Sequence, residues 1–97
     1  MMSARLPNAP MVEITLPPAL TRLFADAPAQ LELSAATVDC LLDALNERWP
    51  GMRDRLADTT PSIRRHINIF IDGRRARLDT ELSPGAKVFV ITAVSGG

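Results

Sequence analysis

From Thr37 to Trp49 the chain carries its main helical stripe, with Val38, Leu41, Leu42, Leu45 and Trp49 at the spacing that lines one face of an α-helix. Thr37 is placed to cap the first turn, and Pro50-Gly51 stops the last. The other patterned segments alternate instead. Val12, Ile14 and Leu16 are separated by Glu13 and Thr15; Leu31 and Leu33 by Glu32; Ile67, Ile69 and Ile71 by Asn68 and Phe70. A terminal strand from Lys87 to Val94, with an apolar run from Val88, closes the series. A period of two is that of a strand with one buried face, and such a face is what an amphipathic helix needs to cover its own stripe. The expected class is therefore α+β, a mixed four- to five-stranded sheet packed on one main helix.

The connections fit this reading. Pro17-Pro18 ends the first strand, and Ala19 to Pro28 forms a link with a helical turn that packs Leu20, Leu23 and Phe24. Met52 to Leu56 adds a short helical turn before Thr59-Thr60-Pro61 breaks the pattern. Asp72-Gly73 marks a hairpin, Arg74 to Leu78 a brief edge strand, Leu78 to Leu82 a tight turn, and Ser83-Pro84-Gly85 a loop into the terminal strand. The order is strand, strand, helix, one or two strands, and a last strand. That order fits a β-grasp, or ubiquitin-like, architecture. The expected boundaries are a flexible segment at 1–10, a β-grasp domain at 11–93 and an extended tail at 94–97.

Composition sets the limits on function. With 97 residues, 46% of them hydrophobic, there is enough for one modest core and one domain. Eleven basic residues balance eleven acidic ones, so no global field attracts nucleic acid or an anionic membrane. No apolar stretch approaches the ~20 residues of a membrane span, and the N-terminus lacks the apolar core of a signal peptide, which points to a soluble cytoplasmic protein. One cysteine and one histidine make neither a disulfide framework nor a structural zinc site, so no metal is expected. No bound cofactor is expected either.

The chain ends Val94-Ser95-Gly96-Gly97, directly after the terminal apolar run. Without a Cβ, a pair of glycines enters a passage too narrow for any other residue. A tail of this kind suits a partner enzyme that draws the Gly97 carboxylate into its active site. No intrinsic catalytic group is expected in the chain itself: one histidine, one cysteine and no tyrosine supply no nucleophile and base pair.

Alternation also marks a surface. If Ile67, Ile69 and Ile71 face the helix, Phe70 points to the other side, and Phe89 and Ile91 join it there if Val88 and Val90 point inward. Such a trio is a candidate docking patch, unless the Arg74 to Leu78 strand or the N-terminus covers it. Arg64, Arg65, His66, Arg74, Arg75 and Arg77 gather around the third strand and read as a solvated, aggregation-resistant edge. Cys40, in the first helical turn, lies off the buried stripe; Trp49 belongs to the core.

Several motifs together carry a resemblance. Ala36-Thr37-Val38 opening a Leu-rich helix, then Ile67-Asn68-Ile69-Phe70-Ile71-Asp72-Gly73, Leu82-Ser83-Pro84-Gly85-Ala86-Lys87-Val88 and terminal Ala93-Val94-Ser95-Gly96-Gly97 are similar to the MoaD/ThiS family of ubiquitin-like sulfur carriers. The likeness runs from about Met11 to Gly97. Thr92-Ala93 stands where molybdopterin-synthase small subunits often have Pro-Pro, which shifts weight toward carriers that feed sulfur to cysteine or other metabolites. The resemblance implies that Gly97 is adenylated by a ubiquitin-activating-type adenylyltransferase that uses ATP, then converted to a thiocarboxylate by a sulfur donor or sulfurtransferase. A sulfur-accepting biosynthetic enzyme would be the last partner. The alternatives within the same chemistry are a molybdopterin-synthase small subunit and a ubiquitin-like modifier joined to lysines.

Overall fold

The computed structural model describes residues 9–57, 63–64 and 66–92. The chain forms β1 (Met11–Thr15), α1 (Pro18–Leu23), β2 (Gln30–Ser34), α2 (Val38–Arg48), α3 (Met52–Leu56), β3 (Ile67–Ile71), β4 (Arg74–Arg75) and β5 (Lys87–Thr92). The strands make one mixed sheet in the order β2-β1-β5-β3-β4. β5 pairs parallel with β1 and antiparallel with β3, so the last strand in the chain is the middle strand of the sheet. The ubiquitin-like β-grasp expected from the element order is the fold observed.

Each element follows from its residues. β1 and β2 pair from Met11↔Ser34 to Thr15↔Gln30. The ladder extends past β1, because Ala35 N–H donates to the Pro10 carbonyl (3.0 Å) and Ser34 Oγ to that of Ala9 (2.7 Å). Asp72 and Gly73, with φ of 50° and 86°, form the two-residue turn between β3 and β4. Positive φ at both positions gives the turn the twist of the flanking strands, and Asp and Gly are the residues that tolerate it. Asp72 also ties this turn to the start of β5: its N–H donates to the Lys87 carbonyl (2.9 Å), and its Oδ1 accepts from Lys87 N–H (3.1 Å).

α2 begins as Thr37 predicts, with Oγ1 accepting from Cys40 N–H at 3.2 Å. The next free donors are satisfied from far along the chain: Val38 N–H bonds the Thr80 carbonyl (3.0 Å) and Asp39 N–H that of Leu78 (2.8 Å). The stripe of α2 lies on the sheet. Val38, Leu41, Leu42 and Leu45 are buried with Val12, Ile14, Ile69, Val88 and Val90 in one cluster that also takes in Leu20, Met52 and Leu56. Full burial of a leucine contributes about 1.5–3 kcal/mol of transfer free energy, so Leu41, Leu42 and Leu45 account for much of what holds the helix to the sheet.

Three expectations are corrected. Leu23 does not pack in the core; it is 55% exposed at the end of α1, while Leu20 is buried and Phe24 packs against the cluster. The edge strand expected over Arg74 to Leu78 is only two residues long, because beyond Ala76 the carbonyls of Leu78 and Thr80 turn to the α2 N-terminus. Cys40, off the main stripe, is nevertheless half-buried against the core, as is Trp49. Of the segment expected at 1–10, residues 1–8 lie outside the described residues, as does Thr59-Thr60-Pro61, while Ala9 and Pro10 are bonded to Ser34 and Ala35.

Candidate tail exit and docking face

The residues expected to carry the chemistry, Val94, Ser95, Gly96 and Gly97, lie outside the described residues. Their point of departure is described. Thr92, the last residue of β5, pairs with Ile67 at the beginning of β3, while the pairing of β5 with β1 ends at Phe89, so at Thr92 the strand is held by β3 alone.

The face of the sheet away from α2 is built by alternation. Along β5, Val88 and Val90 are buried, whereas Phe89 and Ile91 are 42% and 43% exposed. Phe70, which pairs with Phe89, is half-buried, and Asn68 pairs with Ile91. The structure thus brings the expected trio of Phe70, Phe89 and Ile91 together on adjacent strands. Neither β4 nor the described part of the N-terminus covers Phe89 or Ile91. Thr15 stands beside Phe89 on β1 and Arg75 beside Phe70 on β4, so one row crosses the sheet from Thr15 through the two phenylalanines to Arg75.

Register reveals members of this face that the sequence pattern did not single out. Glu13 lies between Glu32 on β2 and Lys87 on β5, which places two carboxylates on the β2–β1 side of the apolar patch and Arg75 on the other. Met11, 52% exposed, stands on the same face of β1. Alternation reports which face a residue occupies but not its cross-strand neighbour, and the parallel pairing of β1 with β5 is what assembles this charge-flanked patch.

Other reactive residue types are dispersed. Cys40 lies in the first turn of α2, and His66 is exposed just before β3. Among the described residues no group of three or more His, Cys, Asp or Glu is arranged to hold a metal ion. Nor is any helix among them long and apolar enough to cross a membrane.

A central β5, a covering helix and an opposite face left open by the described residues define a ubiquitin-like β-grasp. The chain belongs to the ThiS family, whose profile matches residues 18–97. It is similar in structure to SAMP1 from Haloferax volcanii, with 26% identity over 90% of this chain and 99% of that one and a TM-score of 0.74. It is also similar to a chain of the Amycolatopsis orientalis BexX/CysO complex, with 26% identity, coverage of 89% and 99%, and a TM-score of 0.79. A molybdopterin converting factor subunit 1 from Pyrococcus furiosus, so described putatively, shares the fold at 20% identity, with coverage of 89% and 100% and a TM-score of 0.67. No curated protein matches the chain.

Proposed function

We propose that this protein carries sulfur as a thiocarboxylate on Gly97. The observation that carries the reading is the family match, which runs through Gly96 and Gly97 to the last residue of the chain. A carboxylate is a poor electrophile. An activating enzyme of the ubiquitin-activating type transfers AMP from ATP to the Gly97 carboxylate and releases pyrophosphate. Sulfide delivered by a donor then attacks the acyl carbon and AMP leaves with one of the former carboxylate oxygens. The product donates its sulfur to a biosynthetic enzyme.

In this scheme the chain's own residues bind and present. Phe70, Phe89 and Ile91 dock the activating enzyme, Glu13 orients the approach, and Val94 and Ser95 carry Gly96 and Gly97 into a channel where a Cβ would collide. The ATP belongs to the activating enzyme; the carrier binds no cofactor.

The test is the intact mass of the chain after incubation with ATP, a sulfide source and a candidate activating enzyme. Exchange of oxygen for sulfur adds about 16 Da, localised to Gly97 by fragmentation. A folded protein that never acquires this mass with any activating enzyme overturns the proposal.

The likeness to SAMP1 favours conjugation to lysine as a second reading. Lys87 is the only lysine, and it lies at the start of β5 while the tail leaves from the other end, about 17 Å away at strand rise. Conjugates between copies would therefore all carry one linkage, and Lys87→Arg would remove them while leaving thiocarboxylate formation intact.

A further inference from the structure

β3 and the chain that follows β4 part company at a single hydrogen bond. Ala76 N–H donates to the Ile69 carbonyl at 2.8 Å, after which the second segment swings toward the α2 N-terminus. β4 pairs with β3 only at Phe70 and Ile71, so β4 does not reach Ile67, whose N–H donates instead to the Arg64 carbonyl at 2.9 Å. A groove of about 960 Å³ opens beside β3. Ile63, Ile67 and Ile69 line one side, Ala76 and Leu78 the other, and no aromatic residue is among the described lining.

The charges at its mouth do not cancel. Asp39 is engaged by Arg53 at 2.5 Å, and Asp79 by Arg77 at 3.2 Å. Arg64 instead donates from Nε to the Asp54 carbonyl (2.5 Å), and Arg75 donates to the Asn68 side-chain oxygen; both of these acceptors are neutral. Among the described residues, Arg64 and Arg75 therefore border an apolar groove without a carboxylate partner. The α2 N-terminus adds no anion site, since Val38, Asp39 and Cys40 already donate to protein oxygens.

We propose that this groove binds an extended segment of a partner protein in which carboxylate side chains flank branched apolar ones. The segment lies extended in the groove beside β3, its apolar side chains against half-buried Ile63 and the rims of the otherwise buried Ile67 and Leu78, and its carboxylates on Arg64 and Arg75. Nucleic acid fits less well, because the walls are aliphatic and offer no stacking platform. The site lies across β3 from β5, so its occupant leaves Phe89 and Ile91 free for another partner.

The experiment is an NMR titration of the full isotope-labelled chain with an acetylated, amidated peptide of three valines between paired aspartates. Saturable shifts are expected at the amides of Ile67, Ile69, Ala76 and Leu78. Arg64→Glu and Arg75→Glu should each weaken binding about tenfold while keeping a dispersed spectrum, and a peptide with lysines for aspartates should bind Arg64→Glu better than the native chain. No shifts at millimolar peptide, shifts centred on Phe89 and Ile91, or binding indifferent to both charge reversals would overturn the proposal, as would equal shifts with a short single-stranded oligonucleotide. None of these readouts depends on Gly97 activation, so the groove and the carrier chemistry stand or fall separately.

Discussion

Phe70 and Phe89 are directly opposed across the β3–β5 ladder, on the sheet face that α2 leaves bare. A cross-strand aromatic pair stabilises a sheet by about 0.2–1 kcal/mol, whereas a half-exposed aromatic at the centre of a docking patch contributes 2 kcal/mol or more to binding. Phe89→Ala should therefore lower stability by no more than about 1 kcal/mol and reduce kcat/KM for activation roughly thirtyfold. Urea unfolding and pyrophosphate release check the two halves. Equal activation by the variant would remove the docking role.

Deletion of Gly97, or Gly96→Phe, should abolish activation with no change in unfolding midpoint. The residues lie beyond β5, and neither change removes a side chain from the core. Continued ATP-dependent modification of the deletion variant would show that the terminal carboxylate is not the reacting group.

Gly51, with φ of 98°, joins α2 to α3, and Asn46 Oδ1 accepts from both Gly51 N–H (3.0 Å) and Arg53 N–H (3.1 Å) across this corner. A Cβ at position 51 would meet only the Phe24 ring, at 3.8 Å, so the cost of Gly51→Ala is backbone strain rather than collision. The expected loss is about 1–2 kcal/mol. Asn46→Ala, which leaves two N–H groups without their acceptor, should cost about 1–3 kcal/mol by the same urea measurement.

Leu45 is fully buried and Leu23 is 55% exposed, although both are leucines at helix positions. Leu45→Ala should destabilise by about 2–5 kcal/mol and Leu23→Ala by less than about 0.5 kcal/mol. Comparable losses at the two sites would contradict the packing described.

What the sequence made legible were the elements whose signals are local. The Thr37 cap, the Val38 to Trp49 stripe and the Asp72-Gly73 turn each depend on residues a few positions apart, and each appears where expected. The inward and outward assignment of Ile69, Phe70, Val88 and Phe89 followed from alternation alone. The misread features depend on distant partners. Arg74 to Leu78 looked like a strand because nothing local reveals that the carbonyls of Leu78 and Thr80 are claimed by Asp39 and Val38, some forty residues earlier. Leu23 looked like core because a helical spacing cannot tell a six-residue helix which of its leucines the sheet will reach. The groove beside β3 was invisible for the same reason: it exists only where two segments diverge.

The central place of β5 has a consequence during synthesis. In the order β2-β1-β5-β3-β4, the hairpin made first and the strands made later touch only through Lys87–Thr92, which leaves the ribosome after all the others. Until that strand emerges no strand joins the two halves of the sheet, which share only the cover of α2, and Val88 and Val90 are missing from the core. A chain cut short before Lys87 would therefore leave β1–β2 and β3–β4 as two separate ladders, each with an unpaired edge where β5 belongs.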